Sequence, residues 1–305
     1  MPARVAVIDH RFPNLGAERA VLEPLGAELV DLRGRPEPEV LSEAERADAI
    51  LIGARFRLDA VRIARLRCRA IVRYGVGVDN IDVEAARRRG IVVGFVPDYC
   101  VEEVSTHALA LLLALHRQLG GVAGGYPIRR LSTLRLGVVG FGRIGGELAR
   151  KALALGLAVA AHDPLVAAKE MRKAEVEPLT LEELLARSDF VSLHVPLTAA
   201  TWHLLDARRI ASMRAGAVLI NVGRGGLVDE VALGQALRSG HLAGAGLDVT
   251  ELEPLPADHP LRSAPNLLLT PHVAWFSVEA RRELQTKAAE EVARALRGEP
   301  LRNPA

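Results

Sequence analysis

Leu134-Arg135-Leu136-Gly137-Val138-Val139-Gly140-Phe141-Gly142-Arg143-Ile144-Gly145 is an apolar strand that runs into a glycine turn and opens a helix. A second apolar run, Leu157 to His162, follows and ends at Asp163. Strand, G-x-G-x-x-G turn, helix, strand and terminal acid together make a dinucleotide-binding βαβ unit. Gly140 allows the tight turn, Gly142 lets the backbone approach a pyrophosphate, and Gly145 lets helix and strand pack closely. The pyrophosphate would rest on the unpaired N–H groups at the helix start, which include those of Arg143 and Ile144. Asp163 can accept hydrogen bonds from the ribose hydroxyls and would repel a 2′-phosphate, so NAD is expected rather than NADP.

Outward from this unit, short apolar runs alternate with helical segments. Upstream strands are expected at Val5–Ile8, Leu29–Leu32, Ala49–Ile52, Ala70–Tyr74 and Val92–Val96. Helices are expected near Ala17–Leu25, Ser42–Ala47, Leu58–Leu66 and Val83–Arg89. The second series has strands at Leu134–Val139, Leu157–His162, Phe190–Val195, Ala217–Asn221, Ala243–Asp248 and Leu267–Thr270. Such alternation implies parallel sheets covered on both faces. The fold expected is α/β, with two doubly wound parallel-sheet domains and a cleft between them. One is a flavodoxin-like substrate domain (1–98 plus 278–305), the other a Rossmann NAD-binding domain (99–277). A long helix, Val101–Gln118, joins the two series and fades into Gly120-Gly121-Val122-Ala123-Gly124-Gly125. The last helical stretch, Ser277 to Arg297, is expected to return to the first domain.

At 305 residues, 50% hydrophobic and 25% charged, the chain has ordinary globular composition and enough length for two cores. A net charge of +2 gives no reason to expect nucleic acid. Arg87-Arg88-Arg89 reads as a solvated helix end, with a phosphate-binding patch as the alternative. Cys68 and Cys100 have no paired or metal-type spacing and are expected to be buried thiols in a reducing compartment. No metal site is expected. The N-terminus reads as a first strand, and the longest apolar run, Ala108 to Leu115, is too short to span a bilayer. A cytoplasmic protein without membrane contact is expected.

Three segments suggest more than nucleotide binding. Asn221-Val222-Gly223-Arg224-Gly225-Gly226 puts a guanidinium at a strand end, where its planar fork suits a carboxylate. Alone, such an arginine serves equally well to hold a loop. Gly246-Leu247-Asp248-Val249-Thr250-Glu251-Leu252-Glu253-Pro254 supplies carboxylates, and Thr270-Pro271-His272-Val273-Ala274-Trp275 a histidine. A strand-end histidine is commonly structural. Facing a carboxylate, however, its imidazolium form is favoured, which prepares it to donate a proton near neutrality.

With these segments in place, the chain resembles the D-isomer-specific 2-hydroxyacid dehydrogenases over almost its whole length. Arg73-Tyr74-Gly75-Val76-Gly77-Val78-Asp79-Asn80-Ile81-Asp82 and His194-Val195-Pro196-Leu197-Thr198 complete the ordered set. Val96-Pro97-Asp98-Tyr99-Cys100-Val101-Glu102-Glu103-Val104 and Pro271–Ser277 look most like the branch containing the C-terminal-binding proteins.

The resemblance implies that His272 is the general acid/base, that Glu253 orients it, and that Arg224 holds the substrate carboxylate and polarises the carbonyl. Backbone N–H groups of Val76 and Gly77 would bind the same carboxylate from the other domain. Asp248 would contact the nicotinamide carboxamide, Val195 and Pro196 would line the adenine side, and Val222 completes the cofactor set. Trp275 is either core filling or a pocket wall favouring a medium-sized apolar side chain. Arg73 either reaches the pocket or packs beside its strand.

The implied reaction is hydride transfer between NAD(H) and a 2-oxo or 2-hydroxy acid in a homodimeric enzyme. Between Gln118 and Pro127 the chain is shorter and richer in glycine than the family, which usually carries a tryptophan-containing subunit-contact loop there. No C-terminal regulatory domain is expected, which counts against serine biosynthesis. Glu253 counts against a formate-type enzyme, where glutamine is expected. Two alternatives stand beside this reading. One is a 3-phosphoglycerate dehydrogenase using Arg55, Arg57 and Arg73 as a phosphate site. The other is an NAD(H)-responsive interaction protein like the corepressors that share these motifs.

Overall fold

Parallel strands buried on both faces must be apolar throughout, and the short apolar runs form such strands. The computed structural model describes residues 2–119 and 126–305. It contains two compact units, one comprising residues up to Tyr99 with Ser277–Ala305 and the other Cys100–Phe276.

The first unit runs β1 (Arg4–Ile8), α1 (Gly16–Leu22), β2 (Glu28–Asp31), α2 (Glu37–Ala44), β3 (Ala49–Ile52), α3 (Ala60–Ile63), β4 (Ala70–Arg73), α4 (Val83–Arg88) and β5 (Val92–Gly94). Its sheet order, β2-β1-β3-β4-β5, all parallel, is the flavodoxin-like order. The four residues of β3 are all completely buried. Packing around them includes Ile8, Leu32, Ile63, Leu66 and Ile71.

The second unit runs α5 (Val101–His116), β6 (Arg135–Val139), α6 (Arg143–Ala154), β7 (Ala158–His162), α7 (Ala168–Lys173), β8 (Glu177–Pro178) and α8 (Leu181–Arg187). It continues with β9 (Phe190–Leu193), α9 (Ala207–Ser212), β10 (Ala217–Asn221), α10 (Glu230–Arg238), β11 (Leu242–Leu247) and β12 (Leu267–Leu269). The sheet order β12-β11-β10-β9-β6-β7-β8 is a Rossmann arrangement with a seventh strand, and the order reverses between β6 and β9. The final helix, α11 (Val278–Leu296), belongs to the first unit and contacts α1, β3 and β4.

Two helix boundaries and one strand depart most clearly from expectation. Helix α2 begins at Glu37, five residues early, because Pro38 falls in the first turn, where a missing N–H costs nothing. Helix α5 ends at His116, and Gln118 beyond it adopts a left-handed φ of 55° that cannot continue the helix. The two-residue β8, carrying a proline at the sheet edge, was not expected at all. The glycine run 120–125 lies outside the described residues. Among the described residues, no helix is long and apolar enough to cross a membrane. Cys68 and Cys100 are buried and form no disulfide, and burial pushes the Cys68 thiol up to about 12.

Candidate active site

The glycine turn follows β6 at the point where the strand order reverses, the usual ligand position in an open α/β sheet. Each glycine has a separate reason. Gly140 has φ +94°, and a Cβ there would stand 2.6 Å from the His194 carbonyl oxygen. A Cβ on Gly145 would stand 2.0 Å from the Gly140 carbonyl oxygen. At Gly142 a Cβ would meet no protein atom within 4 Å, so the space over that residue is open.

Gly142 caps α6 without a side-chain bond, and the first intrahelical bond is Gly146 N–H to Gly142 C=O at 2.9 Å. The amides of Arg143, Ile144 and Gly145 therefore have no intrahelical acceptor, which suits an anion. Asp163, beyond β7, accepts from Phe141 N–H and Leu165 N–H, each at 2.8 Å. One oxygen serves each amide, so lone pairs remain for hydroxyl donors. An open glycine cap, orphan amides and a fixed acid fit a dinucleotide. Val195, half-buried, and Pro196, exposed, follow β9, and Val222, buried, follows β10.

Arg224 sits three residues past β10. The Asn221 side chain braces this loop at both ends, donating to the Arg224 carbonyl at 2.8 Å and accepting from Gly223 N–H at 3.1 Å. Next to it, a Cβ on Gly225 would fall 1.9 Å from the Thr250 carbonyl carbon, so only glycine permits this backbone contact. That contact seats the Arg224 loop against the segment leading to Glu253.

His272 Nδ1 lies 2.7 Å from Glu253 Oε2. Burial pushes the Glu253 carboxyl up, but the bond and charge of His272, a Thr250 backbone bond and the charge of Arg224 outweigh it. Glu253 is thus held below its ordinary range and stays ionised. Both side chains remain partly exposed, at 25% and 31%. With Nδ1 turned to the carboxylate, Nε2 is the ring atom available to a ligand.

His272 itself has φ +56°, unusual for a residue with a Cβ. Asp248, just past β11 and 2% exposed, holds this turn. Its carboxylate accepts from Thr270 Oγ1 at 2.6 Å, Val273 N–H at 2.9 Å and Ala274 N–H at 2.8 Å. Its backbone carbonyl accepts from His272 N–H at 2.9 Å. Trp275 packs edge-on to Phe276 at 5.6 Å.

The remaining expected residues belong to the first unit. Arg73 is buried at the end of β4, its guanidinium against Gly75, while Val76 is exposed and Gly77 half-buried. Among the described residues, the N–H groups of Val76 and Gly77 have no backbone acceptor. Sequence reading missed Glu230, a buried carboxylate that accepts Glu251 N–H at 2.7 Å and so steadies the segment before Glu253. It also missed Thr270 and His107, whose Nε2 is 2.9 Å from Thr270 Oγ1. The clue to His107 was its four-residue spacing from Leu111 and Leu115 opposite Gly244-x-Gly246-x-Asp248.

Residues 109–274 match the family model described as D-isomer specific 2-hydroxyacid dehydrogenase, NAD binding domain. The chain belongs to this family. D-3-phosphoglycerate dehydrogenase of Mycobacterium leprae is 38% identical over 277 residues, covering 87% of this chain and 52% of that protein. The chain thus spans about half the length of that relative. (S)-Sulfolactate dehydrogenase of Chromohalobacter salexigens is 40% identical, with 92% of this chain and 93% of the relative covered. Among solved structures, D-lactate dehydrogenase from Aquifex aeolicus, complexed with NAD and lactic acid, superposes with a TM-score of 0.86 at 28% identity over 96% of each chain. The two parallel sheets with alternating helices are those of this family's two-domain structures. The C-terminal-binding branch is not among the relatives named here.

Proposed function

We propose that this chain is an NAD-dependent D-2-hydroxyacid dehydrogenase that reduces a 2-oxo acid or runs the reverse oxidation. The observation that carries the reading is the 2.7 Å bond from His272 Nδ1 to a carboxylate that also feels the charge of Arg224. The three groups follow strands of a Rossmann sheet.

Bound NADH supplies the hydride. The orphan amides of Arg143, Ile144 and Gly145 would hold its pyrophosphate, and Asp163 would take the ribose. Val195, Pro196, Val222 and Asp248 complete that site. Arg224 pairs with the substrate carboxylate and offsets negative charge growing on the reduced oxygen, commonly the largest catalytic contribution. His272 delivers a proton from Nε2 to that oxygen while Glu253 keeps Nδ1–H bonded and the ring oriented. In the reverse direction Nε2 removes the hydroxyl proton. The two thiols outside disulfides suit a reducing compartment, the cytoplasm, and the family resemblance implies a homodimer.

A medium-sized apolar substrate side chain fits Trp275 as a pocket wall. A second reading, a substrate with a second anionic group, is favoured by the loop after β3. Asp9 accepts Arg55 N–H at 2.7 Å and Phe56 N–H at 3.0 Å, and Asn80 donates to the carbonyls of Gly53 and Phe56. This rigid loop presents exposed Arg55 and Arg57. Steady-state rates over a panel of 2-oxo acids, with NADH and NADPH, test both. Turnover with NADH over NADPH is expected, and Asp163→Ala should narrow that preference by about tenfold. Strong preference for a phospho- or sulfo-substituted acid selects the second reading. NADH-dependent partner binding without turnover on any acid would overturn the enzymatic one.

A further inference from the structure

Helix α5 lies along β11 in a regular step. A Cβ on Gly244 would stand 3.0 Å from Leu115, and one on Gly246 would stand 3.0 Å from Leu111. Four helical residues advance about 6.0 Å and two strand residues about 6.6 Å. The next step therefore sets residue 107 against residue 248. Those residues are His107 and Asp248, with His107 Nε2 3.7 Å from Asp248 Oδ1 and 2.9 Å from Thr270 Oγ1.

The hydrogens along this chain have one arrangement. Thr270 has a single hydroxyl hydrogen, and its 2.6 Å contact with the Asp248 carboxylate, an acceptor, uses it. Thr270 Oγ1 must then accept from His107 Nε2–H. Asp248 goes on to bind Val273 N–H and Ala274 N–H, and its carbonyl binds His272 N–H. A left-handed backbone is unfavourable at a non-glycine residue, and it persists where the surroundings over-determine it. The His107 side chain is 23% exposed, so its polar edge, rather than core filling, accounts for it here.

We propose that His107 is a positioning residue for His272, acting through Thr270 and Asp248. The proposal rests on the reading of His272 as the proton donor. His107 holds the Thr270 hydroxyl in the one rotation that feeds Asp248. Without it that hydroxyl is released to other acceptors, and the turn that aims His272 loses one of its three anchors on the carboxylate.

The test uses the whole chain as His107→Leu, which removes the donor, and His107→Gln, whose amide N–H replaces Nε2–H. Amide hydrogen exchange at Val273 and Ala274 reads the turn directly, and kcat with the best 2-oxo acid reads its effect on proton delivery. In the Leu variant exchange should quicken about tenfold and kcat should fall about tenfold, the order expected when a reacting group is slightly misplaced. The Gln variant should recover most of both. Unchanged exchange in the Leu variant, or equal losses in the Leu and Gln variants, overturns the proposal. Should the Leu variant not fold, Thr270→Val breaks the same chain one link later and takes the same two measurements. Exchange needs no substrate, so absence of turnover in the unmodified chain would defeat the proposed reaction while this test still decides the role of His107.

Discussion

At the end of β6 the left-handed residue is Gly140, with φ +94°; after β12 it is His272, with φ +56°. The first turn is made by leaving side chains out. Gly140 and Gly145 lie where a Cβ would strike backbone oxygen, and Gly142 lies where nothing stands at all. The second turn is made by bonding, with Asp248 holding two amides and a hydroxyl around a residue that resists the conformation. On the proposed reading, the turn that would admit a ligand's phosphates is emptied, and the turn that would aim the proton donor is pinned. The first is therefore sensitive to added atoms and the second to removed ones.

His272→Ala tests the pinned turn most severely. Reduction should slow by about 10² to 10⁴-fold, while NADH titrated by fluorescence still binds. Undiminished turnover in that variant would remove His272 from its role. Next, the emptied turn should separate stability from binding. Gly145→Ala drives a Cβ into the Gly140 carbonyl and should cost about 3 kcal/mol in denaturant unfolding. Gly142→Ala should leave stability within about 0.5 kcal/mol yet weaken NADH binding about tenfold, because its Cβ enters space held for the cofactor. Equal stability losses at both positions would erase the distinction between these two glycines.

A pH-dependent effect concerns His194, whose carbonyl closes over Gly140 and whose ring bonds Ser192 at 2.8 Å. Burial pushes this imidazole down to about 4, so it folds neutral. The unfolded chain binds this proton near the ordinary value of 6.5. Stability from this group is complete above pH 6.5 and is lost progressively toward pH 4. At pH 5 the loss should reach about 2 kcal/mol, and His194→Gln should abolish that part of the pH dependence in thermal unfolding. A slope identical in the two proteins would show that the ring does not titrate in this window.

What could be read from the sequence divides along the same line. Ala49–Ile52 and Ala217–Asn221 announce themselves, because a strand buried on both faces has no polar alternation to disguise it. The glycines of the first turn are equally legible, since an absent side chain states its own constraint. Helix α2 starts earlier than expected because Pro38, which cannot continue a helix, is accommodated in its first turn. The bonding of Asp248 was illegible: its donors lie 22 to 26 residues along the chain. His107 is more distant still, 163 residues from Thr270, and meets it only through the register of α5 on β11.

The contact between Gly225 and the Thr250–Glu251 backbone has a mechanical result. With no side chain between them, the strip bearing the guanidinium, braced internally by Asn221, lies directly on the strip leading to the carboxylate. A displacement of one strip therefore presses on the other, which couples the positions of the two charges.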